Sequence, residues 1–141
     1  MSGGEIVRAL CAAIDSDDEP AVRALLDADL VSHGALGDVR GRDGFVGVML
    51  TNVRTGFPDL RLEVADVIEQ GDLVAFRLDG AGTHLGEFLG VAPTGRRVRI
   101  RGIHQVRIEG GRVIEHWQGP DLLAMLLDMG LFPPREAPRP I

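Results

Sequence analysis

Apolar residues in the first third of the chain recur at helical spacing. Ile6, Leu10, Ala13 and Ile14 share one face before the polar run from Asp15 to Asp18 breaks it. Pro20 suits the first turn of a second helix carrying Val22, Leu25 and Leu26. Leu30-Val31-Ser32-His33 then reads as a short strand, ended by Gly34 and Gly37. A third helix is predicted over Arg42 to Thr55, with Phe45, Val46, Met49, Leu50 and Val53 as its apolar stripe. Gly56 stands where a C-terminal glycine cap belongs, and Pro58 follows.

From Leu60 the hydrophobic period becomes two. Leu60, Leu62 and Val64 alternate with polar neighbours, and Gly71-Asp72 offers a turn. In the strand from Leu73 to His84, Val74, Phe76, Leu78, Gly80, Gly82 and His84 share a face. In the strand from Arg96 to Glu109, Val98, Ile100, Gly102, His104, Val106 and Ile108 do so. Gly110-Gly111 makes a tight hairpin into a strand from Arg112 to Gln118. His116 shares a face with Ile114 and Gln118, opposite Val113 and Trp117, and alternation does not say which face is inward. Leu122, Leu123, Leu126 and Leu127 mark a last short helix between Asp121 and Gly130. Helices followed by a meander of alternating strands indicate an α+β fold, expected as one domain over residues 1–132 with a Pro-rich tail over 133–141. Glycines inside adjacent strands (Gly80, Gly82, Gly102) imply a bent sheet that encloses a cavity with the helices.

Composition narrows the partners. A formal net charge of −6 excludes nucleic acid as the expected partner, because phosphate binding needs a basic surface. Arg97, Arg99 and Arg101 alternate on one strand face and read as a solvated or subunit-facing stripe. The single cysteine, Cys11, admits no internal disulfide. With no signal-like start and no membrane-length apolar run, the expected location is cytoplasmic.

The candidate chemistry lies in histidines and one carboxylate. His104 and His84 fall on the apolar faces of their strands, and His33 ends a strand that could reach the same rim. A buried histidine is often only a satisfied core residue. Convergence of several is what turns the balance toward a site. Asp121 has two readings: N-cap of the last helix, worth about 1 kcal/mol, or general base at a cavity mouth, its pKa raised by apolar walls. Paired with His104, it could work on either side of neutrality. Asp43 reads as a first-turn helix charge and Glu87 as a solvated loop group. The histidines are too scattered for a metal-binding motif, so no metal is expected.

Gly56-Phe57-Pro58-Asp59-Leu60-Arg61, then Gly82-Thr83-His84, Gly86-Glu87-Phe88-Leu89-Gly90 and Pro93-Thr94-Gly95-Arg96 together resemble the SnoaL-like polyketide cyclases. Gly102-Ile103-His104, Gly111-Arg112-Val113 and Glu115-His116-Trp117 continue the resemblance in order, over about His33 to Met129. It implies a cone-shaped α+β barrel with a curved sheet wrapped around N-terminal helices and an internal pocket. It also implies a cofactor-free intramolecular aldol closure on a polyketide-like carbonyl compound. On that resemblance Asp121 is the acid/base. His104, with His33, Gln105 and His116, holds the carbonyl and enolate oxygens, and His84 is a further candidate donor. Trp117, Phe45 and Phe76 would wall a flat substrate. A homodimer or homotetramer is implied, with Arg99, Arg101 and Arg107 on the outer sheet face. The chain departs from the family pattern in having no tyrosine. Two other readings stay open: a non-catalytic small-molecule binding domain, and a hydroxylase, epoxide hydrolase or isomerase on the same scaffold.

Overall fold

The structure, a computed structural model, describes residues 1–132, and the Pro-rich tail expected over 133–141 lies outside them. Helix α1 (Gly3–Asp15) starts where Ser2 Oγ accepts from the Glu5 amide at 3.1 Å. It buries Ile6, Val7, Leu10, Cys11, Ala13 and Ile14, each large apolar side chain contributing roughly 1.5–3 kcal/mol. Burial, with Asp15 beside it, pushes the Cys11 thiol up to about 12, so it packs as a small hydrophobe. Helix α2 (Glu19–Ala24) is capped by Asp18, whose side chain accepts from the Ala21 amide.

A six-stranded mixed sheet has the order β2-β1-β6-β5-β4-β3. Its strands are β1 (Leu26–Gly34), β2 (Gly37–Arg40), β3 (Arg61–Gln70), β4 (Leu73–Thr83), β5 (Arg97–Glu109) and β6 (Arg112–Trp117). Only β1 and β6 run parallel; the other neighbours are antiparallel. Strand β1 begins four residues before the sequence pattern predicts, at Leu26 instead of inside helix 2, and β2 was not anticipated. The acidic Asp27-Ala28-Asp29 is a weak strand former, and it lies in an irregularity of the β1–β6 ladder, between Leu26 opposite Val113 and Val31 opposite Glu115.

The third predicted helix is one helical rod in three parts. It comprises α3 (Arg42–Val46), a π-helical stretch Gly47–Val53 and α4 (Arg54–Gly56). Helix α5 (Leu122–Asp128) packs on β5 through buried Ala124 and Met125. It is tied there by Asp128, which accepts from Arg99 Nε at 2.8 Å, Nη2 at 2.9 Å and the Arg99 amide at 2.9 Å. The alternating arginines are therefore a paired outer face: Arg97 with Asp59, Arg99 with Asp128, Arg107 with Asp72. Exposed pairs of this kind contribute about 0–1 kcal/mol each.

Candidate active site

A cavity of about 650 Å³ opens between the concave sheet face and the helical rod. That volume suits a ligand of several fused rings. The sheet floor supplies Phe76, Leu78, Ile100, His104 and Val106; the π-helical stretch supplies Val48, Met49, Thr51, Asn52 and Val53. A wider turn of this type recurs at functional sites, because it redirects side chains that a regular helix would stack. The β4–β5 connection folds over one side with Phe88 and Leu89, and the β1–β2 turn contributes Leu36. The wall is mostly apolar, so its few polar groups decide what it can do.

Those polar groups centre on two histidines. His104 Nδ1 lies 3.2 Å from His116 Nε2, the rings stacked at 5.3 Å, and His104 also stacks on Phe76 at 5.5 Å. His116 Nδ1 lies 3.0 Å from Ser32 Oγ, and Gln118 Nε2 donates to the same oxygen at 2.8 Å. Strand pairing builds this chain: Ser32 sits opposite His116 on β1 and β6, and the Gln118 amide donates to the His33 carbonyl. Burial holds His104 down at about 4, and burial with a second imidazole nearby holds His116 at about 3. Both rings are neutral at neutral pH. Among the described residues no carboxylate pairs with His104, so of the two opposed influences open from the sequence, burial and a nearby Asp121, burial is the one that acts.

A β-bulge settles the face of β6 that alternation left open. Ile108 pairs with Val113 but Arg107 pairs with Glu115, leaving Ile114 as the extra residue. Val113, His116 and Gln118 thus all line the cavity, whereas strict alternation would separate Val113 from His116. Phe45 and Phe76 also line it, as does His104.

Five of the named residues fall elsewhere. Trp117 and Gln105 pair across β5 and β6 and project away from the cavity, since their neighbours His116 and His104 face in. His33 is held outside by Asp38 at 2.9 Å and Glu115 at 2.7 Å and rests on Trp117. These acidic partners raise its pKa. His84 is wholly buried against Phe57 and Thr94, a strut of the β4–β5 connection outside the wall. Asp121 Oδ1 accepts from the Ala124 amide at 3.0 Å as the N-cap of α5, and Oδ2 lies 3.7 Å from Arg101. Its carboxylate is 44% exposed. Its flanks Pro120 and Leu122 line the cavity, which puts Asp121 at the rim.

Sequence reasoning assigned no role to Ser32, Gln118, Thr51 or Asn52. The signal for Gln118 was its shared face with His116. Ser32 needed the β1–β6 pairing, which no local pattern encodes.

The sequence model of the SnoaL-like polyketide cyclase family matches residues 4–129. The chain belongs to this family. Among curated SnoaL-like relatives, aklanonic acid methyl ester cyclase DnrD of Streptomyces peucetius is 27% identical over 129 residues, 89% of each chain. Nogalonic acid methyl ester cyclase of Streptomyces nogalater is 34% identical over 79 residues, 55% of this chain and 59% of that one. Among solved structures, IdmH of Streptomyces antibioticus, a proposed polyketide cyclase, superposes with a TM-score of 0.81 at 35% identity, covering 92% of this chain and 99% of that one. AclR of Streptomyces galilaeus, a proposed hydroxylase, gives 0.83 at 30% identity, covering 94% and 83%. The fold is the α+β cone of SnoaL-like proteins. Among the described residues no helix is long and apolar enough to cross a membrane, and no group of three metal-ligating side chains converges.

Proposed function

We propose that this protein is a polyketide cyclase that closes a carbocycle by intramolecular aldol addition, using acid/base groups of the protein and no cofactor. The carrying observation is the neutral His104–His116 pair set in an apolar cavity of about 650 Å³. Membership of the family and the names of the ester cyclases point to a polyketide ester as substrate. The carbon between two carbonyls loses a proton, the enolate carbon attacks a ketone within the same molecule, and the resulting alkoxide is protonated. Atoms balance without an oxidant. His104, on the cavity floor, is the hydrogen-bond donor to the enolate oxygen. Asp121, at the rim with Oδ2 free of the cap, is the base for the acidic C–H. Substrate lying across Pro120 and Leu122 would bring its acidic carbon to that carboxylate.

The test is turnover of aklanonic acid methyl ester, followed by product mass and by deuterium uptake at the acidic carbon. An isomer of unchanged mass is expected, with Asp121→Asn and His104→Phe each lowering kcat at least tenfold. A product heavier by one oxygen would favour the hydroxylase reading that the likeness to AclR supports. Tight binding without exchange or ring closure would favour a binding domain. We also propose a cytoplasmic homodimer or homotetramer meeting through the outer sheet face, where Ile103 is 67% exposed. Sedimentation that returns a monomer would reject that assembly.

A further inference from the structure

We propose that Ser32 and Gln118 are positioning residues that fix the tautomer of His104, so that its Nε2 enters the cavity as an N–H donor and not as a base. Hydrogen counting along the chain carries the inference. Gln118 Nε2 donates to Ser32 Oγ at 2.8 Å, so that oxygen receives a proton from the amide. Ser32 is wholly buried, and the other polar atom in reach of its hydroxyl is His116 Nδ1 at 3.0 Å. A buried hydroxyl must place its proton somewhere, and His116 Nδ1 is the acceptor available. His116, neutral, then carries its single proton on Nε2 and donates it to His104 Nδ1 at 3.2 Å. His104, also neutral, has its Nδ1 lone pair committed and must carry its proton on Nε2. That atom has no protein partner among the described residues, and the ring lines the cavity.

The polarity of the whole chain thus depends on the orientation of one amide. Two features place that amide beside Ser32. The Gln118 backbone N–H is bound to the His33 carbonyl at 2.8 Å, which sets the residue beside β1. Gly34 leaves room for the side chain: a Cβ there would meet Gln118 Oε1 at 3.0 Å and Cδ at 3.1 Å. With the opposite amide orientation every bond reverses and His104 Nε2 presents a lone pair. A second proton on His104 would have to enter against His116 Nε2–H, which requires the same reversal. The site is therefore built to hold a carbonyl or enolate oxygen, and the proton acceptor of the reaction has to be another group.

The test separates this inference from the cyclase reading, because its main readout needs no substrate. Histidine ¹⁵N shifts and long-range ¹H–¹⁵N couplings report which ring nitrogen is protonated. In the unmodified protein near pH 7, His104 and His116 are both expected as Nε2–H tautomers. Gln118→Glu places an acceptor at Ser32, and both rings are expected to switch to Nδ1–H. Ser32→Ala, which removes the link, is expected to leave a mixture, and Ser32→Thr to restore the Nε2–H form. With aklanonic acid methyl ester, Gln118→Glu is expected to lower kcat at least tenfold with KM changed less than threefold. His104 protonated on Nδ1 in the unmodified protein, or a tautomer unaltered by Gln118→Glu in a folded variant, would overturn the proposal. A confirmed tautomer with no turnover would leave the positioning intact and remove the cyclase reading alone.

Discussion

At the scale of single residues, Asp121 carries two functions that its substitutions separate. Oδ1 holds the Ala124 amide, and Oδ2 faces Arg101 from 3.7 Å. Asparagine keeps a cap oxygen and alanine keeps none. Asp121→Ala is expected to lower stability by about 1 kcal/mol in urea unfolding, and Asp121→Asn by a few tenths. Both should lose activity alike if the carboxylate is the base. Equal activity loss with unequal stability loss is the signature sought; activity retained in Asp121→Asn would reduce the residue to its cap. His104 was legible from the sequence because β5 alternates without interruption over its whole length. Its neighbour His116 was named with it, but Ser32 behind His116 was not, since Ser32 is far off in sequence and is brought near only by a parallel pairing.

At the scale of elements, the long strands β4 and β5 were readable and the irregular ones were not. Period-two alternation assumes an unbroken ladder, and a single bulge at Ile114 exchanges the two faces of β6 halfway along. A π-helical turn is equally silent, because Phe45, Val46, Met49, Leu50 and Val53 fit a regular helix as well. The glycines inside β4 and β5 (Gly80, Gly82 and Gly102) were readable as points of close approach. Gly102 faces Pro120 in a bridge, and a Cβ there would strike the Gly119 carbonyl and lie 2.7 Å from Pro120 Cα. Backbone meets backbone, so neither side yields as a flexible side chain would. Gly102→Ala is expected to cost about 2–3 kcal/mol and to displace the cavity edge at Pro120. Gly47→Ala is the control. Gly47 has helical φ of −58° and open space around its Cβ direction, so the substitution should be neutral or stabilising by up to about 1 kcal/mol. Urea midpoints of the two variants check the pair, and similar losses would contradict the contact argument.

At the scale of the whole molecule, the buried imidazoles tie folding to pH. In the unfolded chain a histidine titrates near 6.5; folded, His104 titrates at about 4 and His116 at about 3. Between these values the unfolded state binds more protons, so stability rises with pH. The contribution is complete above about 6.5 and is lost as pH falls through the folded values. The slope approaches about 1.4 kcal/mol per pH unit for each histidine. Asp43, Asp59 and Asp128 are held below the usual carboxylate range by Arg23, Thr83 and Arg99 respectively, so their losses fall at more acid pH. His33 acts in the opposite sense, because Glu115 and Asp38 raise it. Its contribution is present at low pH and fades as pH rises, but its exposure makes that opposition weak. Urea midpoints from pH 7 to 4.5 at fixed ionic strength should therefore fall steeply below pH 6. His104→Phe removes one titrating ring and should roughly halve the slope whatever it does to absolute stability. A flat profile down to pH 5 in the unmodified protein would mean that the two rings are hydrated, and with that the neutral donor chain across β1, β6 and β5 would fail as a description of this fold's interior.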